Sequence, residues 1–204
     1  MIVHLITRVN LKTDTDFVFT EERKQVLFNR VAPTVKAQTY TDFEWIGLIE
    51  EWTPLEDYSL VFDKIYTWKW REVYNKYLAD NKWKEIFSIR LDSDDCIHKN
   101  FIQRMVEVVD NTNEIQVIIA NKGIDYNAIT WESIIIQIDY PGSFLWVYEK
   151  KLEIWCYDEQ HTLMDNNNTY LSETIDEPLW TRYVDWNNRV SNHLLSKYEI
   201  CTEQ

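Results

Sequence analysis

Residues 87–95 read Phe87-Ser88-Ile89-Arg90-Leu91-Asp92-Ser93-Asp94-Asp95. A short apolar run ends in three carboxylates within four positions. Cys96-Ile97-His98-Lys99-Asn100-Phe101-Ile102 follows and opens a helical pattern. Acids gathered at the carboxyl end of a buried strand repel one another unless positive charge sits among them. A hard divalent cation held by oxygen ligands is the usual source of that charge.

Working outward from this stretch, the upstream chain repeats one pattern. Residues 2–7 are an apolar run with Arg8 at its end, the pattern of a buried first strand. Thr20-Glu21-Glu22-Arg23 has a hydroxyl followed by acids, as at a helix start. Leu27, Val31 and Val35 recur at four-residue spacing, and Pro33 is expected to end or kink that helix. Residues 42–50 form a second strand ending in Glu50. Strand, helix, strand within this span is the signature of a right-handed βαβ unit with a parallel sheet. Residues 62–79 place Tyr66, Trp70, Tyr74 and Leu78 on one helical face, and residues 83–91 make the third strand. Residues 98–109 share a helical face through Phe101, Ile102, Met105, Val106 and Val109. The acids thus follow the third strand of an α/β half. In open α/β sheets ligands bind at the carboxyl ends of the strands, where Arg8, Glu50 and residues 92–95 all fall.

Downstream the character changes. Residues 115–120, 128–131, 133–138, 144–148 and 152–157 are short β-like runs divided by turn residues such as Lys122-Gly123 and Pro141-Gly142. Strands that extend or cross the first sheet are expected, at least two of them antiparallel. The tail holds a β-like piece at 180–184. No repeat or linker interrupts the 204 residues. The expectation is one domain, with a nucleotide-binding half over 1–110 and a β-rich acceptor half over 111–204.

The totals exclude several classes. A net charge of −13, from 34 acids and 21 bases, lacks the basic footprint that nucleic acid requires, and it opposes docking on anionic lipid. Cys96, Cys156 and Cys201 have neither zinc spacing nor a disulfide framework, which points to a reducing compartment. The first apolar run is too short for a signal sequence, and no run approaches a membrane span. A cytoplasmic location is expected. Ten Trp and twelve Tyr are many for this length; core and surface packing is the plain reading of each, and a surplus of rings also suits a groove for a sugar or a base.

Four readings of the acids compete. A calcium-binding helix-loop-helix needs a ligand, a glycine and a glutamate at its fifth, sixth and twelfth places; counted from Asp92 these hold Cys96, Ile97 and Gln103. A nucleophilic aspartate of phosphatase type belongs after the first strand, whereas this cluster comes late. A solvated turn with Asp95 capping the following helix is the plain reading, and for Asp95 it competes evenly with a site role. The fourth is the Asp-x-Asp of a nucleotide-sugar transferase. There a divalent cation bridges the donor's two phosphates and neutralises charge as the glycosidic bond breaks. Alternation lets Asp92 and Asp94 face one cavity.

Arg90 to Asp95 followed by Ile97-His98-Lys99-Asn100-Phe101 resembles the signature of a rhamnosyltransferase family within the GT-A glycosyltransferases. Thr7-Arg8-Val9-Asn10, Ala32 to Gln38, Phe43-Glu44-Trp45, and the segments 178–180 and 188–192 are similar in order, more loosely. The resemblance implies an α/β, GT-A-like (nucleotide-diphospho-sugar transferase) mixed sheet with flanking helices. It implies that Asp92, Asp94, Arg8, Glu50 and Arg90 bind the nucleotide-sugar donor. A divalent cation, Mn²⁺ or Mg²⁺, would be held by Asp94, Asp92, Asp95 and the late His161. The tail departs from the family, with Tyr183-Val184-Asp185-Trp186 where a histidine and a glycine are expected before the asparagine.

Transfer to a glycan or other hydroxyl acceptor by inversion needs a carboxylate base. Asp125, Glu132 and Asp158 are candidates by position. The competing expectation, motivated by the short chain and the altered tail, is a non-catalytic nucleotide- or carbohydrate-binding module on the same scaffold.

Overall fold

The structure is a computed structural model that describes residues 1–9, 17–49, 57–67, 69–81, 84–109, 115–127, 129–137, 145–149, 156 and 171–184. Four parallel strands form its centre: β1 (Ile2–Val9), β2 (Glu44–Ile49), β3 (Lys64–Thr67) and β4 (Ile86–Asp92). After β4 come β5 (Asp95–Ile97), β6 (Ile115–Ala120), β7 (Lys122–Asn127), β8 (Ser133–Gln137), β9 (Leu145–Glu149), β10 (Leu171–Ile175) and β11 (Trp180–Val184). The larger sheet has the order β10-β6-β9-β4-β1-β2-β3, with β9 antiparallel to both neighbours. The smaller sheet has the order β5-β11-β7-β8.

Side-chain alternation on β1 and β4 separates two cores. Val3, Leu5, Val9, Phe87, Ile89 and Leu91 pack with Leu27, Val31, Val35, Phe101, Ile102 and Met105 on one face. Ile6 and Ile86 pack with Tyr74 and Leu78 on the other. Both faces of the parallel strands are therefore covered, as such strands require. The first layer comes from α1 (Phe17–Val26), a π-helical turn (Leu27–Val31), α2 (Ala32–Lys36) and α4 (Phe101–Glu107), the second from α3 (Trp70–Asp80). Pro33 neither ends nor breaks the helical path. The π turn ahead of it relaxes the register, and Pro33 enters at the start of α2, where its missing N–H costs least.

Several expected elements differ. Residues 62–79 are not one helix: β3 occupies Lys64–Thr67, and Lys69 turns the chain with φ 50° into α3. Asp63 fastens β3 to β2, its carboxylate accepting from Trp45 N at 2.8 Å and its N–H donating to Trp45 O at 2.9 Å. The acids therefore follow the fourth strand in chain order, although β4 still lies beside β1. The helix expected over 98–109 is confined to Phe101–Glu107, because the chain first forms β5 and extends its pairing through His98 N to Leu179 O. Lys122-Gly123 is strand rather than turn. Its glycine is required because a Cβ there would sit 2.2 Å from the buried Trp180 ring. Residues 129–132 are a hairpin turn rather than a strand. The expected strand at 152–157 lies outside the described residues except for Cys156, and β10 was not anticipated.

Candidate functional site

The carboxyl ends of β1 and β4 are in register, with Arg8 opposite Asp92. Both fall at even positions, on the α3 side of the sheet, and the Arg8 guanidinium lies 5.4 Å from the Trp70 ring at the start of α3. A cation over an indole face is favourable when partly desolvated, so Trp70 fixes where Arg8 presents its charge. Arg90, two residues before Asp92 on the same side of β4, donates through Nε to Asp92 Oδ1 at 3.0 Å and through Nη2 to Oδ2 at 3.3 Å. That fork is the planar carboxylate recognition arginine favours.

Alternation stops at Asp92, because Ser93 and Asp94 form the turn into β5. Asp94 has its carboxylate 3.7 Å from Arg23 Nη2 on α1. The two acids therefore take counter-ions from opposite layers of the fold, Asp92 from its own strand and Asp94 from the α1 layer.

Asp95 is buried in β5 and caps nothing. The helix starts six residues later, and the Asn100 side chain at its cap position makes no capping bond. Burial pushes the Asp95 carboxyl well above the usual carboxylate range. The Asp94 and Asp92 charges add to this, and Arg182 and Arg90 oppose it. Register places Asp95 opposite Arg182 of β11, and Arg182 opposite Asp125 of β7. Arg182 forks onto Asp125, Nε to Oδ1 at 2.9 Å and Nη2 to Oδ2 at 2.8 Å. Next to Asp95, burial first and the Asp95 charge second push the Cys96 thiol up to about 11, so it is a neutral packing group.

The candidate bases separate. Asp125 is 2% exposed with both oxygens committed to Arg182, which disfavours it as a proton acceptor. Glu132 is exposed on the β7–β8 turn and accepts from the Thr130 hydroxyl at 3.1 Å. Asp158, Glu50 and His161 lie outside the described residues. Arg23, Trp70 and Arg182 were missed by sequence reasoning. Arg23 reads as an ordinary first-turn residue, while Arg182 had a usable signal, a charge placed two residues after Trp180 inside an apolar strand.

The chemistry of the acids tests whether a divalent cation fits. Asp92 and Asp94 offer hard oxygen donors, with side chains 27% and 23% exposed. Mg²⁺-type ions take one or two carboxylates and complete their shell with water and substrate phosphate. In donor type each carboxylate suits an ion of that kind, although Asp92 is engaged by Arg90 and Asp94 lies beside Arg23. Among the described residues no group of three or more His, Cys, Asp or Glu is placed to form an all-protein cage.

The fold, a mixed sheet with parallel strands flanked by helices and one antiparallel strand inserted beside β4, matches nucleotide-sugar transferase folds. The chain is similar to S. aureus TarS at 12% identity and TM-score 0.50, over 90% of this chain and 37% of TarS. It is also similar to a Bacillus anthracis protein assigned as a glucose-1-phosphate thymidylyltransferase, in complex with sucrose, at 9% identity and TM-score 0.52, over 96% and 94% of the two chains. This chain thus spans well under half of TarS. No protein-family model matches it, and no curated protein matches it by sequence. Among the described residues no helix is long and apolar enough to cross a membrane.

Proposed function

We propose that the chain is a glycosyltransferase that binds a nucleotide-sugar donor at the carboxyl ends of β1 and β4, with Asp92 and Asp94 holding Mn²⁺ or Mg²⁺. The observation that carries this is the register of Arg8 against Asp92 at the ligand edge of a nucleotide-sugar transferase fold. When bound, the cation supplies charge neutralisation for the departing diphosphate. Arg8, steadied by Trp70, and Arg90, beside Asp92, add fixed positive charge for the same phosphates. In the transfer the bond from the sugar anomeric carbon to the phosphate oxygen breaks, and the electron pair leaves with the nucleoside diphosphate. The acceptor oxygen bonds that carbon and its proton passes to a base, for which Glu132 is the accessible described candidate. A rhamnosyl donor is the finer reading and rests on the resemblance around Asp92.

Incubation with UDP-, GDP- and dTDP-sugars and Mn²⁺, followed by nucleotide release, tests the proposal. Release of nucleoside diphosphate that Asp94→Asn abolishes is expected. Nucleotide binding unaltered by Asp92→Ala and Asp94→Ala would sink the site. One observation favours the binding-module reading: Arg90 and Arg23 already neutralise Asp92 and Asp94. Metal-dependent nucleotide binding without turnover, acceptors supplied, would select it. Pyrophosphate release from a nucleoside triphosphate and a sugar phosphate would select nucleotidyl transfer instead.

A further inference from the structure

Trp131 is 78% exposed and has φ 66°, a backbone conformation that bulky L-residues rarely adopt. Its described neighbours are hydrogen-bonded to Asn127. Asn127 Oδ1 accepts from Ile129 N at 2.9 Å and Thr130 N at 3.1 Å, Asn127 O accepts from Trp131 N at 2.9 Å, and Asn127 N donates to Glu132 O at 2.8 Å. A hydrogen-bonded turn thus presents an indole to solvent at positive φ, and such backbone outliers recur at ligand clamps. On either side of Trp131 in sequence, the Thr130 hydroxyl donates to the Glu132 carboxylate.

The smaller sheet sets where this turn lies. Arg182 is opposite both Asp95 and Asp125, and Tyr183 is opposite Tyr126. The carboxyl end of β7 therefore emerges at the same end of the sheet as the turn carrying Asp94, which enters β5 one position before Asp95. Two strand spacings, about 10 Å, separate β5 from β7. Half-buried Tyr183 and Tyr126, ring centroids 5.2 Å apart, lie in the row between.

We infer that Trp131, with Glu132 and Thr130, forms the acceptor subsite and takes an uncharged sugar ring. This deepens the transferase reading and rests on it for the word acceptor. A pyranose has an apolar C–H face that stacks on an indole and hydroxyls that a neighbouring carboxylate accepts from. The net charge of −13 selects against anionic glycans. Exposed Ile134 and Ile135 on the adjoining strand offer a competing occupant, a second copy of the chain, which the test distinguishes.

The test is saturation-transfer-difference NMR on the full chain with methyl α-glucoside, methyl α-mannoside, methyl α-rhamnoside and maltose at millimolar concentration, with sedimentation velocity alongside. Saturation transfer to at least one probe is expected. Trp131→Ala should weaken it about tenfold, while Trp131→Phe retains most of it. Glu132→Gln weakens it without disturbing the loop backbone, which covers the case where Trp131→Ala misfolds. A signal from no probe, a signal unchanged in Trp131→Ala, or a wild-type dimer dissociated by Trp131→Ala would each overturn the subsite. Binding of UDP, GDP and dTDP to wild type reports on the acid turn separately. Its absence beside a Trp131-dependent sugar signal removes the transferase reading and leaves a sugar site. Its presence beside a Trp131-independent signal does the reverse.

Discussion

Replacing Arg182 with leucine strands a buried acid. Asp125 is 3% exposed at its side chain and both oxygens accept from Arg182, while Asp95 lies buried across the next strand. Removing one partner of such a pair costs about 3–5 kcal/mol, because the desolvated charge loses its compensation. The reverse change, Asp125→Leu, should cost less. It leaves a guanidinium that is 20% exposed, with Asp95 still across the strand. The double variant Arg182→Leu/Asp125→Leu replaces the pair with apolar bulk and should recover most of the Arg182→Leu loss, the buried Asp95 alone having lost a cation. Urea unfolding reads all four corners of the cycle. With a slope of about 2–3 kcal/mol/M for a chain of this size, the Arg182 variant should lose between about 1 and 2.5 M in midpoint. A single-variant loss below about 1 kcal/mol, the range of solvated surface pairs, would refute the buried row joining β5, β11 and β7.

Two further outcomes test the core. His4 is 1% exposed, with the Tyr74 hydroxyl 2.7 Å from Nδ1, and burial lowers its pKa from 6.5 to about 4, aided by Lys64 and Lys84. Burial outweighs the Glu44 carboxylate 3.5 Å from Nε2. The unfolded chain binds the proton first, so the neutral-histidine contribution is complete above pH 6.5 and falls away as pH drops toward 4, by about 3 kcal/mol in all. His4→Gln should flatten this part of the stability–pH curve, and an unchanged slope would count against a neutral buried ring. Gly123→Ala drives a Cβ to 2.2 Å from the Trp180 ring and should cost about 3 kcal/mol in unfolding free energy, read as a lower denaturant midpoint, with loss of the near-ultraviolet tryptophan signal. Wild-type stability in that variant would mean Trp180 is not packed on β7.

The parts legible in advance were those whose periodicity is unshared. β1, β2 and β4 are buried on both faces and read as continuous apolar runs, so the parallel half and the strand ends carrying Arg8 and Asp92 were visible. β3 was hidden because Tyr66 stands four residues before Trp70 and matches a helical row by coincidence of spacing. β5 was hidden by brevity: Asp95, Cys96 and Ile97 look like a helix approach until Thr181 and Arg182 pair with them from far along the chain. The same long-range pairing explains the partial view of the site. Asp92 and Arg8 could be matched from strand ends alone. The counter-ions of Asp94 and Asp125 come from α1 and β11, and no local pattern announces them.

β11 sits between β5 and β7 in the smaller sheet, and this fixes an order of assembly. Among the described residues, the strand that pairs with Asp95 in that sheet is supplied by residues 180–182. As the chain is synthesised, the parallel strands can pair once β4 has emerged, since β1 needs only β2 and β4. The turn carrying Asp94 acquires its downstream anchor only about ninety residues later, at a loop-closure cost that grows slowly with that separation. A nascent or clipped chain that stops before β11 would keep its main sheet yet lack the strand that pairs with Asp95. Completion of the pairing around the acid turn is thus a late step of synthesis.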